Sequence, residues 1–202
     1  MGDVLRDEVS SGSGLASVIR ESISKGQLVD ASVCSHLLRV PFGKALSGGG
    51  GYILDGYPRS VAQVHSFFEE TAPEHLPEKV VEITMDREVA LAKLLGRRQC
   101  ASCGQSFNVT DIRRDGFDMP PILPSDEVCP RRRLTSECTS DFIKRNDDTE
   151  ETIRERFKVY DEETKPVLAF FKERGMLSTF MVKKGIADSQ KLFTLLQEAS
   201  LN

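Results

Sequence analysis

Tyr52-Ile53-Leu54-Asp55-Gly56-Tyr57-Pro58-Arg59 reads as a short buried strand running into a tight turn. Gly56 lets the backbone approach a flat group, Pro58 fixes the turn, and Arg59 offers a planar fork of donors suited to phosphate. Ligands of open parallel sheets bind beyond the carboxyl ends of the strands, which is where this turn falls. Taken alone, an Asp-Gly-x-Pro turn mostly changes chain direction, so its meaning depends on its surroundings.

Upstream, Leu15, Val18, Ile19 and Ile23 recur at helical spacing, Gly26 closes that segment, and Asp30 can cap the next helix. Downstream, Ser60 can cap a helix carrying Val61, Val64 and Phe68, and the β-branched run 79–85 suits a second strand. Asp86 then caps a helix ending at Gly96. Strand and helix alternate, so the expected fold class is α/β with a parallel sheet. From Arg97 to Asn146 the pattern gives way to Gly, Pro and four cysteines, which predicts a loop-rich insertion. Helical order resumes at a capping box, Asp148-Thr149-Glu150-Glu151, followed by an apolar stripe of Ile153, Phe157 and Tyr160. Pro166 kinks or restarts that helix, Gly175 ends it, 178–182 is a third strand candidate, and Asp188 caps a last helix with Leu192, Phe193 and Leu196. Three segments follow: 1–96, an insertion over 97–145, and 146–202.

With 202 residues, 39% of them hydrophobic, the chain can bury one core and carry a smaller subdomain. A net charge of -4 argues against a general nucleic-acid or membrane-surface binder, so any phosphate site must be local. No run approaches the roughly 18 apolar residues of a membrane span, and Met1-Gly2-Asp3-Val4-Leu5-Arg6-Asp7 is too acidic and polar for a secretory signal. An odd number of cysteines, five, with two as Cys100-x-x-Cys103, suits metal ligation or thiols better than a disulfide framework. These features predict a cytoplasmic protein in a reducing compartment without nucleic-acid or membrane partners, and a monomer is the expected state.

The turn gains weight from what recurs in order around it. Gly2-Asp3-x-Leu5-Arg6, Gly26-Gln27-Leu28-Val29, Leu54 to Arg59 with Gln63, and Gly96-Arg97-Arg98 precede Arg145-x-Asp147-Asp148-x-Glu150-Glu151-Thr152-x-Arg154-x-Arg156. Over essentially its whole length the chain resembles the adenylate kinase family in its long-lid form. The resemblance implies a P-loop-kinase-like sheet flanked by helices, with 97–145 as the lid. It implies reversible phosphoryl transfer from Mg-ATP to AMP, giving two ADP, with Mg2+ entering alongside ATP. Arg6, Arg59 and Arg156 would then hold the AMP phosphate, the backbone of Gln27, Leu28, Val29, Gly56, Tyr57 and Pro58 would line its nucleoside, and Gln63 would read the adenine edge. Arg97 and Arg145 would reach the ATP phosphates, Arg145 and Arg156 would also face the acceptor, and the backbone near Ala187 would touch the donor adenine. Positioned cations suit this reaction because its transition state spreads charge over equatorial oxygens. The plainer alternative is that Arg154 and Arg156 form helix-surface pairs with Glu150 and Glu151.

Cys100 and Cys103, with Cys129 and Cys138, could build an all-cysteine zinc site in that lid, the alternative being a hydrogen-bonded lid with thiols. Zinc-bearing lids of the family close with a second tight pair, whereas Thr135 stands at the third ligand position here and Cys129 is a substitute. A larger departure is that the family's first strand, its Gly-x-x-x-x-Gly-Lys-[Ser/Thr] loop and its first helix precede the Gly2-Asp3 position, and the chain contains none of them. Gly43-Lys44 is followed by alanine and lacks the earlier glycine. Lys93 also stands where the family often places an arginine that stacks on adenine, which lysine cannot reproduce. Three readings stay open: an adenylate kinase represented by a fragment, an isoform that binds AMP or a partner without catalysis, and a zinc-lid interaction module.

Overall fold

The computed structural model describes residues 1–49, 51–125 and 142–198. The chain divides into two compact units, Met1–Val80 with Arg154–Ser178, and Val81–Ile153 with Thr179–Asn202.

The first unit is helical. α1 (Gly2–Ser11), α2 (Ala16–Ser24), α3 (Ala31–Ser47) and α4 (Val61–Glu70) follow one another, and their apolar stripes meet in a core of Leu5, Ile19, Val29, Cys34, Tyr57 and Phe67. The caps are those the sequence indicates: the Asp30 carboxylate accepts the Ser32 N–H at 2.8 Å, and the Ser60 hydroxyl accepts the Gln63 N–H at 3.3 Å. Gly43 and Lys44 lie inside α3, so they form part of a helix rather than a phosphate loop. The unit is completed by the part of α6 (Glu150–Val159) from Arg154 onward, a π-helical turn over Tyr160–Thr164 and α7 (Lys165–Glu173), the last packing Val167 and Phe171 against Val64. The restart falls next to Pro166, as expected of a residue without an N–H.

Among the described residues no strand precedes β1 (Val80–Thr84), which corrects the reading of 52–54 as a buried strand. Ile53 is 91% exposed. A strand needs neighbours for its N–H and C=O groups, and the described strand beside β1 is β7 (Leu177–Met181). That pair is parallel: the Val80 N–H donates to Met176 O at 3.0 Å and the Val182 N–H to Thr84 O at 2.9 Å. With helices flanking a parallel strand pair and an inserted strand region, the architecture is that of a P-loop kinase. Both strands run through the boundary between the units.

The second unit holds α5 (Arg87–Leu95), capped by Asp86 and ending at Gly96 as expected. It is followed by short strands rather than the loop-rich stretch anticipated: β2 (Arg97–Cys100), β3 (Ser106–Asn108), β4 (Ile112–Arg114), β5 (Phe117–Met119) and β6 (Phe142–Ile143). β2 pairs antiparallel with β3 and β6, and β4 with β5. Three-residue strands are too short for their alternation, Phe107, Ile112 and Met119 inward, to stand out in sequence. After β7 come a 3-10 turn, Gly185–Asp188, and α8 (Ser189–Glu198).

The junction of α5 with this sheet is tight. A Cβ at Gly96 would collide with Thr110 Oγ1 and lie 2.8 Å from its Cβ. Thr110 cannot give way, since its N–H donates to Asn108 Oδ1 at 3.1 Å, its hydroxyl to Ala92 O at 3.0 Å, and its carbonyl accepts from Lys93 Nζ at 2.7 Å. Gly96→Ala is therefore expected to destabilise the chain by about 2 kcal/mol or more, read as a lower midpoint in urea unfolding, whereas an exposed Gly14→Ala should move it little.

Candidate functional site

In the first unit the turn after Leu54 is built around Gly56, whose φ of 66° is the left-handed conformation that glycine adopts without penalty. The Tyr57-Pro58 peptide is cis. Tyr57 is buried, its phenol pushed up to about 12 by that burial, with its hydroxyl 3.5 Å from Gln63 O. Behind the turn, Gln63 is 3% exposed and uses its whole side-chain amide on the protein. Its Oε1 accepts the Arg59 N–H at 2.8 Å, and its Nε2 donates to Val29 O at 3.2 Å and to Cys34 Sγ at 3.6 Å. The residue that the resemblance assigns to an adenine edge is thus, in this conformation, the tie between the Gly26–Val29 turn and the Tyr57–Arg59 turn.

Arg59 is held from the other side by Thr164, whose hydroxyl donates to Arg59 O at 2.9 Å. Burial pushes the Arg59 guanidinium below its ordinary value, and the like charge of Arg156 on α6 pushes the same way. Both arginines are half-buried, and Arg59 is close enough to Arg156 to feel its charge. Gln27 faces the same helix, its Nε2 donating to Glu155 Oε1 at 2.6 Å, and Leu28 is half-buried beside it. Arg6 lies over Gly2 and pairs with exposed Asp3, while the Met1 amino group donates to Asp55 O at 2.8 Å next to Gly56. Arg6, Gln27, Leu28, Val29, Gly56, Tyr57, Pro58, Arg59, Gln63 and Arg156 therefore all belong to one compact unit.

The second unit carries Arg97, Arg145 and Ala187. Arg97 at the start of β2 makes a two-pronged pair with Asp148, Nε donating to Oδ2 at 2.9 Å and Nη2 to Oδ1. Asp148 is fully buried, and its N–H donates to Arg145 O at 3.1 Å. This corrects the capping box: the N-terminal cap of α6 is Thr149, whose hydroxyl accepts the Thr152 N–H at 3.2 Å. Asp148 is instead the residue that the sequence reading missed, and the adjacent pair Asp147-Asp148 between two arginine clusters was the available signal. Lys93 Nζ donates to Thr110 O and Met119 O at 2.7 and 2.9 Å, which fastens α5 to the β4–β5 hairpin. Ala187 is exposed, its N–H donating to Lys184 O at 3.3 Å.

Cys100 is buried and Cys103 half-buried, both packed with Phe107 and Ile122. The turn between them closes with the Gly104 N–H donating to Cys100 O at 2.9 Å. Cys129 and Cys138 lie outside the described residues, and among those described no group of three or more His, Cys, Asp or Glu could hold a metal.

A family model for adenylate kinase matches residues 1–176. The chain belongs to the adenylate kinase family. It is 38% identical over 196 residues to a probable chloroplastic adenylate kinase 6 of Arabidopsis thaliana, covering 93% of this chain and 61% of that protein. Identity to the chloroplastic adenylate kinase 1 of the same plant is 33% over 190 residues, 93% of this chain and 64% of the relative. A GTP:AMP phosphotransferase of Plasmodium falciparum is 33% identical over 198 residues, 97% of this chain and 82% of the relative. The chain thus spans less than two thirds of the two plant proteins it matches. The expectation of a cytoplasmic protein is overturned here, because those plant relatives are chloroplastic enzymes and composition alone does not separate the compartments. Among the described residues no helix is long and apolar enough to cross a membrane.

Because Asp148 holds Arg97 by its side chain and Arg145 by its backbone, Asp148→Ala is expected to cost about 2 kcal/mol of stability. Hydrogen exchange should show the loss concentrated at β2 and the Arg145–Asp148 turn, with α1 and α2 keeping their protection.

Proposed function

We propose that this chain carries the acceptor site and lid of an adenylate kinase that reversibly transfers a phosphoryl group from Mg-ATP to AMP, giving two ADP. The observation that carries this reading is the half-buried pair Arg59 and Arg156, two like charges near enough to act on one another beside the Gly56–Pro58 turn of the first unit. In the reaction an oxygen of the AMP phosphate forms a bond to the γ-phosphorus of ATP, the bond to the bridging oxygen breaks, and ADP leaves with that electron pair. Little covalent chemistry falls to the protein, so its work is positioning and charge stabilisation.

Arg6, Arg59 and Arg156 hold the AMP phosphate. Gln27 to Val29 and Gly56 to Pro58 line the nucleoside with backbone, and Gln63 can turn its amide from Val29 and Cys34 to the adenine edge once a base supplies equivalent hydrogen bonds. Residues 97–145 form the lid, with Arg97 and Arg145 at its two ends serving the transferred phosphoryl group. Since Nε and Nη2 of Arg97 are engaged by Asp148, its Nη1 edge is the one that can face a phosphate. The Mg2+ that accompanies ATP neutralises charge on the phosphates. Donor phosphates in such kinases also need a glycine-rich loop of backbone amides with a lysine, which these 202 residues do not contain, so the chain by itself turns over slowly.

A coupled assay with AMP, UMP and CMP as acceptors tests the reading on the chain as given and on the chain joined to an amino-terminal glycine-rich phosphate-loop segment. AMP should be the acceptor and the joined chain far faster, and equal high turnover in both would contradict the part assigned to that loop. In the same series Arg59→Ala should weaken AMP binding about tenfold or more, as the loss of a charge-assisted fork to phosphate does.

Zinc in the lid is part of the same proposal. Cys100 and Cys103 are separated by two residues on a closed turn, a spacing that lets two thiolates share one tetrahedral metal, with Cys129 and Cys138 to complete the set. Metal analysis of protein purified without a histidine tag should find about one zinc per chain, lost in Cys100→Ser with increased protease sensitivity over 97–145. Metal-free protein with an unaltered cleavage pattern in Cys100→Ser would leave a lid held by hydrogen bonds.

A further inference from the structure

In the second unit the turn after β7, Lys183-Lys184-Gly185-Ile186-Ala187, closes on a buried carboxylate. The sequence reading gives Asp188 the forward role of capping α8, but its bonds run backward. One oxygen of Asp188, whose side chain is 4% exposed, accepts the Lys183 N–H at 2.7 Å and the Lys184 N–H at 2.6 Å. The other oxygen lies 3.4 Å from Lys191 Nζ. The backbone bond from Lys184, then that from Lys183 and the Lys191 charge, hold the carboxyl below its ordinary range against the opposing effect of burial. From outside, the turn is docked on β5: the Asp118 N–H donates to Lys183 O at 2.9 Å, and a Cβ at Gly185 would stand 3.9 Å from Met119 Cγ.

The result is a rigid turn that lifts an apolar pair into solvent. Ile186 is 67% exposed and Ala187 beside it is exposed as well. Two side chains of this size make a shelf that matches one face of a purine ring and is small for a protein partner. Such a shelf helps binding only if it is already in place, because ordering a five-residue turn on contact would consume the gain.

The geometry points to Asp188 as a positioning residue, its carboxylate fixing the Lys183–Ala187 turn so that Ile186 and Ala187 receive the donor nucleobase. This inference rests on the kinase reading above and adds to it a residue that meets no substrate. Loss of the carboxylate frees two successive amides, loosens the shelf and weakens the donor without touching the acceptor site.

The test uses the full 202-residue chain with Asp188→Ala and Asp188→Asn, titrated separately with ATP and AMP by calorimetry, alongside amide exchange at Lys183 and Lys184. In Asp188→Ala the two amides should exchange at least about tenfold faster, ATP binding should weaken about tenfold, and AMP binding should stay within about twofold. Asp188→Asn keeps an oxygen that can accept both N–H groups, so it should fall between. ATP affinity or amide exchange unchanged in folded Asp188→Ala overturns the inference. If that variant does not fold, Asp188→Asn decides, and its matching wild type in both readouts overturns it equally. Wild-type chain that binds AMP but not ATP overturns the inference and leaves the acceptor site standing, whereas binding of neither nucleotide removes the kinase reading along with it.

Discussion

The side-chain amide of Gln63 is the contact on which the first unit's site depends. It is buried, and each of its polar atoms is used: Oε1 on the Arg59 N–H, Nε2 on Val29 O and Cys34 Sγ. A buried amide left without partners costs on the order of 1 to 3 kcal/mol, so these bonds fix the spacing of the two turns they join. They also fix where Arg59 enters solvent. With its carbonyl held by Thr164 and its N–H by Gln63, the Arg59 backbone cannot drift, and its guanidinium stays in the desolvated position beside Arg156. Burial and the like charge of Arg156 both push the Arg59 guanidinium below its ordinary value, and an anion bound there would offset both.

A similar economy governs the second unit, where buried carboxylates do the holding. Asp148 joins the beginning of β2 to the Arg145–Asp148 turn, and Asp188 fixes the turn before α8. Each carboxylate is matched by donors aimed at it, which is the condition under which burying a charge is tolerated. The Arg97 guanidinium is thus oriented by a buried carboxylate at the start of β2. The family's sheet chemistry is represented in the described residues by the parallel pair β1 and β7, and the phosphate-loop sequence is not contained in the chain.

Much of this was legible in the sequence, for identifiable reasons. Asp30, Ser60 and Asp86 are caps because their side chains act on N–H groups two or three residues away, a local rule that needs no tertiary knowledge. Family membership was carried by several short motifs in a fixed order. What failed was non-local. Tyr52-Ile53-Leu54 has the composition of a strand but lacks a described neighbour to pair with, and composition cannot report neighbours. Asp148 and Asp188 looked like caps because position suggested it, whereas the former is claimed by Arg97, 51 residues away, and the latter by N–H groups behind it. The strands of 97–143 are two to four residues long, below the length at which alternation becomes a signal.

If the gap between Arg59 and Arg156 is an anion site, the phosphate should carry most of the acceptor's affinity. Calorimetric titration of the chain with AMP and with adenosine under the same salt measures that share directly. The account predicts that adenosine binds at least about tenfold more weakly than AMP, with the difference shrinking as salt is raised. Equal affinity for the two ligands would contradict it and would leave Arg59 and Arg156 as structural cations of a turn and a helix.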